Sequence, residues 1–200
     1  MKPRNPRGVD DPNHREISVA TSKPSPELKK LEYFVGTWTS RGDVRPGPAG
    51  PGGKLHMKER YRWMEGRFFL VIDSQFKIGD SAKWSGTAFI GYDAARKLYT
   101  YDEFNSMGEA QHSTGTLEGE TWIWKGEQHI GGKITKTQFI VRMLLPTAYL
   151  FRFETSPDAI EWTVLVEDKA TKEAASRASA HRPRPRSAKR SKRASRPRPK

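Results

Sequence analysis

The chain has no cysteine, which excludes a disulfide framework and any thiolate metal site. It has no apolar run approaching the ~20 residues that cross a bilayer as a helix. Its opening stretch, "MKPRNPRGVDDPNHREISVATSKPSP", lacks the apolar segment of a secretory leader. A cytoplasmic location without a membrane partner is the matching expectation. Histidine is scarce: residues 25–168 hold His56, His112 and His129, with no His-x-His or His-x-x-x-His pair. Metal sites need three or four clustered ligands, so none is expected.

Aromatic residues are missing from both ends. All 21 of them (6 Trp, 6 Tyr, 9 Phe) lie between Tyr33 and Trp162, so the mean hydropathy of −0.81 averages an aromatic body with two poor flanks. Acidic residues are nearly absent from 169–200, where Glu173 stands against 13 Lys or Arg. That segment supplies +12 of the net +13, residues 1–24 supply +2, and residues 25–168 carry −1. The pI of about 10.0 therefore describes an appendage, and charge has to be read segment by segment. Residues 1–24, rich in Pro, Arg, Asp and Asn without periodicity, are expected to be disordered. A folded domain is expected over 25–168, followed by a disordered basic tail over 169–200.

The folded segment begins with a helix signal. In "SPELKKLEYFVG", Ser25 suits the N-cap, Pro26 the first helical position and Glu27 the positive end of the helix dipole. Leu28, Leu31, Phe34 and Val35 form an apolar side, and Gly36 supplies the stop. From Gly36 the period becomes two. Ten strands are expected, near 36–45, 55–64, 67–78, 84–92, 97–105, 109–117, 120–126, 132–144, 147–156 and 159–168, separated by short turn signals such as "PGPAGPGG", "DAARK" and "SPD". Tight turns between successive strands imply antiparallel neighbours. One open sheet of ten strands would expose two long edges, and closing it removes them. The alternative, a two-sheet sandwich, needs a Greek-key crossover that the spacing does not contain.

A short helix running into Gly36-Thr37-Trp38 resembles the entry motif of the lipocalin and fatty-acid-binding superfamily, the calycins. That resemblance implies that Trp38 packs across the closed end of the barrel, with Gly36 at the entry and the helix as a plug. A longer stretch, "GTAFIGYDAARKLYTYDEFNSMGEAQHSTGTLEGETWIWKGE" (86–127), with "FVGTW" and "GRFFLVI", is similar to an uncharacterised bacterial lipocalin-like family of unknown function over about residues 27–168. The implied fold is all-β: a calycin-like, up-and-down antiparallel barrel of about ten strands with a capping helix.

Alternation along each strand separates its two faces. In "LHMKERYRWM", Leu55, Met57, Glu59, Tyr61 and Trp63 share one face and His56, Lys58, Arg60 and Arg62 the other. The cationic face is taken as outward, which sends Glu59 inward. An unpaired buried charge is costly, so Glu59 must be protonated, paired or wet; Arg142 is one candidate partner. The same test turns Phe68, Leu70, Ile72, Ser74 and Phe76 inward, then Trp84 with Ile90 and Tyr92. It also turns inward Tyr149, Phe151 and Phe153, and finally Ile160, Trp162, Val164 and Val166. The middle strands are ambiguous. They group Tyr99 and Tyr101 with Glu103, His112 with Thr114 and Thr116, and Trp122 with Trp124.

An aromatic interior with few ionisable groups suits a cavity for a small, neutral, mostly apolar molecule. Candidate lining residues are Glu59, Tyr61, Trp63, Phe68, Trp84, Tyr99, Tyr101, His112, Trp122, Tyr149, Phe151 and Trp162. A filled aromatic core is the alternative. No cofactor is expected. The resembling nitrobindins hold haem through a His on a late strand, and here no body histidine follows His129. Arg152 is directed outward by parity, which disfavours a fatty-acid-like anion. Two other function classes stay open. A cofactor-free barrel enzyme would use Glu59 as acid or base beside Tyr61. A nucleic-acid-associated protein would use the tail, where Arg182, Arg184, Arg186, Lys189, Arg190, Lys192, Arg193, Arg196 and Arg198 could contact phosphates without sequence selectivity. For the tail the plain alternatives are a solvated extension or a misread frame. Composition says nothing of oligomeric state.

Overall fold

In the computed structural model, which describes residues 23–47, 50–80, 83–130 and 132–174, Pro26–Phe34 form a 3₁₀ helix. Ser25 caps it, its hydroxyl accepting from the Glu27 N–H at 3.4 Å. A 3₁₀ helix has three residues per turn, so Leu28, Leu31 and Phe34 stack on one side. All three are buried. The helix stops at Val35, and Gly36 takes the turn into the first strand at φ +129°, a conformation that few side chains tolerate.

Ten strands follow: β1 (Gly36–Val44), β2 (Gly53–Trp63), β3 (Leu70–Ile78), β4 (Trp84–Asp93), β5 (Leu98–Asn105), β6 (Ala110–Glu118), β7 (Thr121–Ile130), β8 (Lys133–Leu145), β9 (Ala148–Ser156) and β10 (Thr163–Lys172). Each pairs antiparallel with its chain neighbours, and β1 pairs with β10 to close the barrel. The sandwich alternative is thereby set aside.

The helix plugs one end as the Gly36-x-Trp38 motif implies. Trp38 is completely buried, and its indole N–H donates to the Phe34 carbonyl at 2.7 Å, tying the last helical turn to β1. The Tyr33 hydroxyl bridges the Leu145 and Ala148 carbonyls (2.9 and 2.8 Å), and the Tyr99 hydroxyl donates to the Glu27 carbonyl (2.9 Å). These bonds tie the helix to β5 and to the β8–β9 turn.

Three local expectations are corrected. Strand β3 begins at Leu70, because Arg67 adopts φ 59° in the preceding turn. Phe68 therefore sits in that turn rather than on an inward strand face. Strand β10 begins at Thr163, since Ser156 and Asp158 fold the intervening segment into a side-chain-bonded loop: the Ala159 N–H donates to Ser156 Oγ (2.9 Å) and the Ile160 N–H to Asp158 Oδ1 (2.8 Å). Ile160 is 79% exposed and Trp162 precedes the strand. A bulge between Val164 and Val166 then sets Val164 opposite Glu154, whose carboxylate pairs with exposed Arg152 on the outer side, while Val166 stands opposite Phe153. Finally, β10 continues to Lys172, four residues into the stretch assigned to the tail. Ala170 is fully buried, and the Lys172 ammonium lies 5.1 Å over the Trp38 ring and donates to the Tyr33 carbonyl at 2.9 Å.

Candidate functional site

Inner-face residues change character along the barrel axis. Read from the plugged end, β5 presents Tyr99, Tyr101, Glu103 and Asn105, and β7 presents Trp122, Trp124, Gly126 and Gln128. Strand β6, running the other way, presents Gln111, Ser113, Gly115 and Leu117. Large rings thus gather under the helix, and small or polar side chains gather at the far end. Two cavities follow from this gradient.

The larger, about 1140 Å³, opens at the end opposite the helix. Its apolar wall includes Ile78, Trp84, Ile130, Phe153 and Val166, and its polar wall includes Glu103, Asn105, Gln111 and Gln128. The Trp84 ring stacks on Phe76 at 5.7 Å with an 18° interplanar angle. The Tyr101 hydroxyl donates to Glu103 Oε2 at 2.6 Å. The Gln111 side-chain amide donates to Ser113 Oγ (3.1 Å) and accepts from Gln128. Burial pushes the Glu103 carboxyl upward, with the Tyr101 bond pulling the other way and nearby Glu109 adding to the rise.

The smaller cavity, about 60 Å³, lies deeper among Phe34, Glu59, Tyr61, Tyr101, Tyr149 and Phe151. It has room for water and not for a drug-sized ligand. Glu59 is buried there and accepts from the Tyr149 hydroxyl at 3.0 Å. Desolvation raises its carboxyl to about 7, against the lowering effect of Tyr149 and Tyr61. Asp168, on β10, is raised to about 7 by burial first and by the Glu59 charge second, with Ser40 pulling down. Neither Asp168 carboxylate oxygen has a hydrogen-bond partner within bonding geometry among the described residues. Two acids without a base therefore share the barrel's middle.

A family described as "Protein of unknown function (DUF1579)" matches residues 23–171. The chain belongs to that family. No curated protein matches it. Two solved structures share the fold: Rv2717c from M. tuberculosis (14% identity, TM-score 0.55, covering 76% of this chain and 100% of that one), and the S-type phycobiliprotein lyase CPES from Guillardia theta (8% identity, TM-score 0.52, covering 73% and 92%). At these identities the likeness speaks for the barrel alone.

Within this DUF1579 barrel the expected lining residues divide. Trp84 lines the large cavity. Glu59, Tyr61, Tyr101, Tyr149 and Phe151 surround the small one. Tyr99 and Trp122 are core, 4.8 Å apart beneath the helix. Trp63 also belongs to the plugged end, its indole donating to Glu32 at 2.9 Å under the Arg67 guanidinium. Phe68 and Trp162 line neither cavity. His112 is corrected outright: it faces outward, 61% exposed, with Nδ1 2.6 Å from Asp102. Arg142 is exposed, and Tyr149 takes the role of Glu59 partner. The tail residues from Arg182 to Arg198 lie outside the described residues. Asn105, Gln111 and Gln128 were missed as lining residues, although their polar character near turn signals was the available clue. Among the described residues no group of His, Asp or Glu is arranged to hold a metal ion, and no helix is long and apolar enough to cross a membrane.

Proposed function

We propose that this barrel binds a small, mostly apolar molecule non-covalently in the cavity at its open end. The observation that carries the reading is the cavity itself. Its volume, about 1140 Å³, exceeds what the surrounding side chains fill, and aromatic and aliphatic walls face a short arc of polar groups. Ligand sites combine these features: apolar area for affinity and a few polar groups for orientation. The structural neighbour named as a phycobiliprotein lyase adds only that a barrel of this shape occurs in a protein of that name.

The enzyme reading is weaker because Glu59 faces the 60 Å³ chamber, which cannot admit a substrate beside it. The test of the binding reading uses the full chain and the uncharged dye N-phenyl-1-naphthylamine. Saturable, one-to-one enhancement of dye fluorescence is expected, and Trp84→Ala or Phe153→Ala should weaken it about tenfold through lost apolar contact. Absence of saturable binding to the folded chain would overturn the reading.

A further inference from the structure

The charges around the open cavity are lopsided. Its wall carries three carboxylates, Asp80, Glu103 and Glu109, against one guanidinium, Arg45, with His129 on the rim. Arg45 is already engaged: its Nη2 lies 3.0 Å from Glu167 Oε2 on β10. Asp80 and Glu109 are exposed at the edge of the cavity. Glu103 is different. It sits on the inner face of β5 with Asn105 between it and the β5–β6 turn, in the same wall as Trp84 and Phe153.

Only one oxygen of Glu103 is occupied. Oε2 takes the Tyr101 hydroxyl, whereas Oε1 takes no hydrogen bond from the described residues. That free oxygen rests against Gly86 of the next strand, 3.0 Å from where a Cβ would stand. A glycine at 86 therefore leaves space for a carboxylate that any larger residue would crowd. An acceptor held beside aromatic rings, with no basic side chain paired to it among the described residues, is complementary to a positively charged donor.

From this juxtaposition we propose that the open cavity selects apolar amines, the ammonium group meeting Glu103 and the hydrocarbon lying against Trp84 and Phe153. This deepens the binding reading and rests on it. A fatty-acid-like carboxylate would instead meet Glu103 and the acidic rim with no unengaged guanidinium to receive it. Burial makes ionising the Glu103 carboxyl costly, and an ammonium placed beside it would offset that cost.

Three ligands with one phenyl-butyl skeleton separate the possibilities: 4-phenylbutylamine, 4-phenylbutanol and 4-phenylbutyrate, titrated calorimetrically into the full chain at pH 7.5. The amine is expected to bind at least about tenfold tighter than the carboxylate, as for a charge-assisted bond gained against a repulsion. Glu103→Gln, which keeps an acceptor for Tyr101, should cost the amine about tenfold while the alcohol changes less than about twofold. If the alcohol binds but the amine holds no advantage over the carboxylate, the amine proposal fails and the binding site survives. If none of the three binds, both fail. The comparison on the unaltered chain stands even where the variant folds poorly.

Discussion

The two ends of this barrel are made by the same ten strands and are built on opposite rules. At the plugged end the inner face is ring against ring: Trp38 and Tyr149 at 4.8 Å, Tyr99 and Trp122 at 4.8 Å, Phe34 on Tyr61 at 5.6 Å. Tyr33, Trp38 and Tyr99 each donate to a helix or strand carbonyl there, whereas the buried Trp122 indole N–H has no partner among the described residues. At the open end the same strand faces carry Asn105, Gln111, Gln128 and Thr155, and no helix among the described residues covers them. The contrast separates two jobs that a closed barrel can combine. Dense packing at one end supplies the stability, which lets the other end stay under-packed around a cavity.

If that division holds, equal substitutions at the two ends should have unequal costs. Trp38→Ala removes one of the largest fully buried side chains under the helix together with its bond to Phe34. It should destabilise the chain by about 3–5 kcal/mol in urea unfolding. Trp84→Ala, a half-buried ring stacked on Phe76, should cost about 1 kcal/mol while removing most of the dye binding. Similar losses of stability at the two sites would break the comparison.

Between the ends lie Glu59 and Asp168, and they offer a sharper probe. Both carboxyls sit at about 7 in the folded chain, above ordinary values of 4.5 and 3.8. The folded state therefore holds these protons more tightly than the unfolded state does. The associated stability is complete below about pH 4 and is lost as pH rises through about 7. Glu59→Gln keeps an acceptor for the Tyr149 hydroxyl, cannot ionise, and relieves the Coulomb pressure on Asp168. The variant should be more stable than the parent at pH 8, by on the order of 1–3 kcal/mol, and nearly equal to it at pH 4. Parallel pH–stability profiles for parent and variant would show that the middle of the barrel is wetter than its burial implies.

How much of this was legible beforehand depended on whether a strand's two faces differ in chemistry. On β2 they do: Lys58, Arg60 and Arg62 alternate with Glu59, Tyr61 and Trp63, so Glu59 could be placed inside from spacing alone. Strand β6 gave no such lever. Both its faces are polar, Gln111 and Ser113 on one and His112 and Thr114 on the other, so alternation leaves open which face is inner, and the candidate His112 lies on the outer one. On β10 the apolar pair Ile160 and Trp162 mimic the start of a strand, because the Ser156–Asp158 loop rests on side-chain bonds and the later bulge on a register shift, neither of which alternation encodes. The strands and their antiparallel order follow from turn chemistry and period two, which are local, whereas the plug is implied by the resemblance of the helix and Gly36-x-Trp38 to the calycin entry motif. The pairing of Glu59 with Tyr149, 90 residues away, and the gradient that opens one end depend on closure, which is not local.

The smallest expected effect tests the parity correction directly. His112 and Asp102 face each other across β5 and β6 on the outer surface, 2.6 Å apart and 61% and 43% exposed. Solvent screens such a pair, and holding two side chains together costs entropy, so the net contribution of an exposed pair is small. His112→Ala should therefore change unfolding free energy by less than about 0.5 kcal/mol and leave dye affinity at the open end within experimental scatter. An inward His112 would behave otherwise. Its removal would open a hole beside Trp124 and the Gln111–Gln128 pair, so both stability and binding would fall. A loss of either would return His112 to the interior and shift the whole of β6 by one residue. That shift would also take Gln111 and Ser113 out of the cavity wall on which the binding site depends.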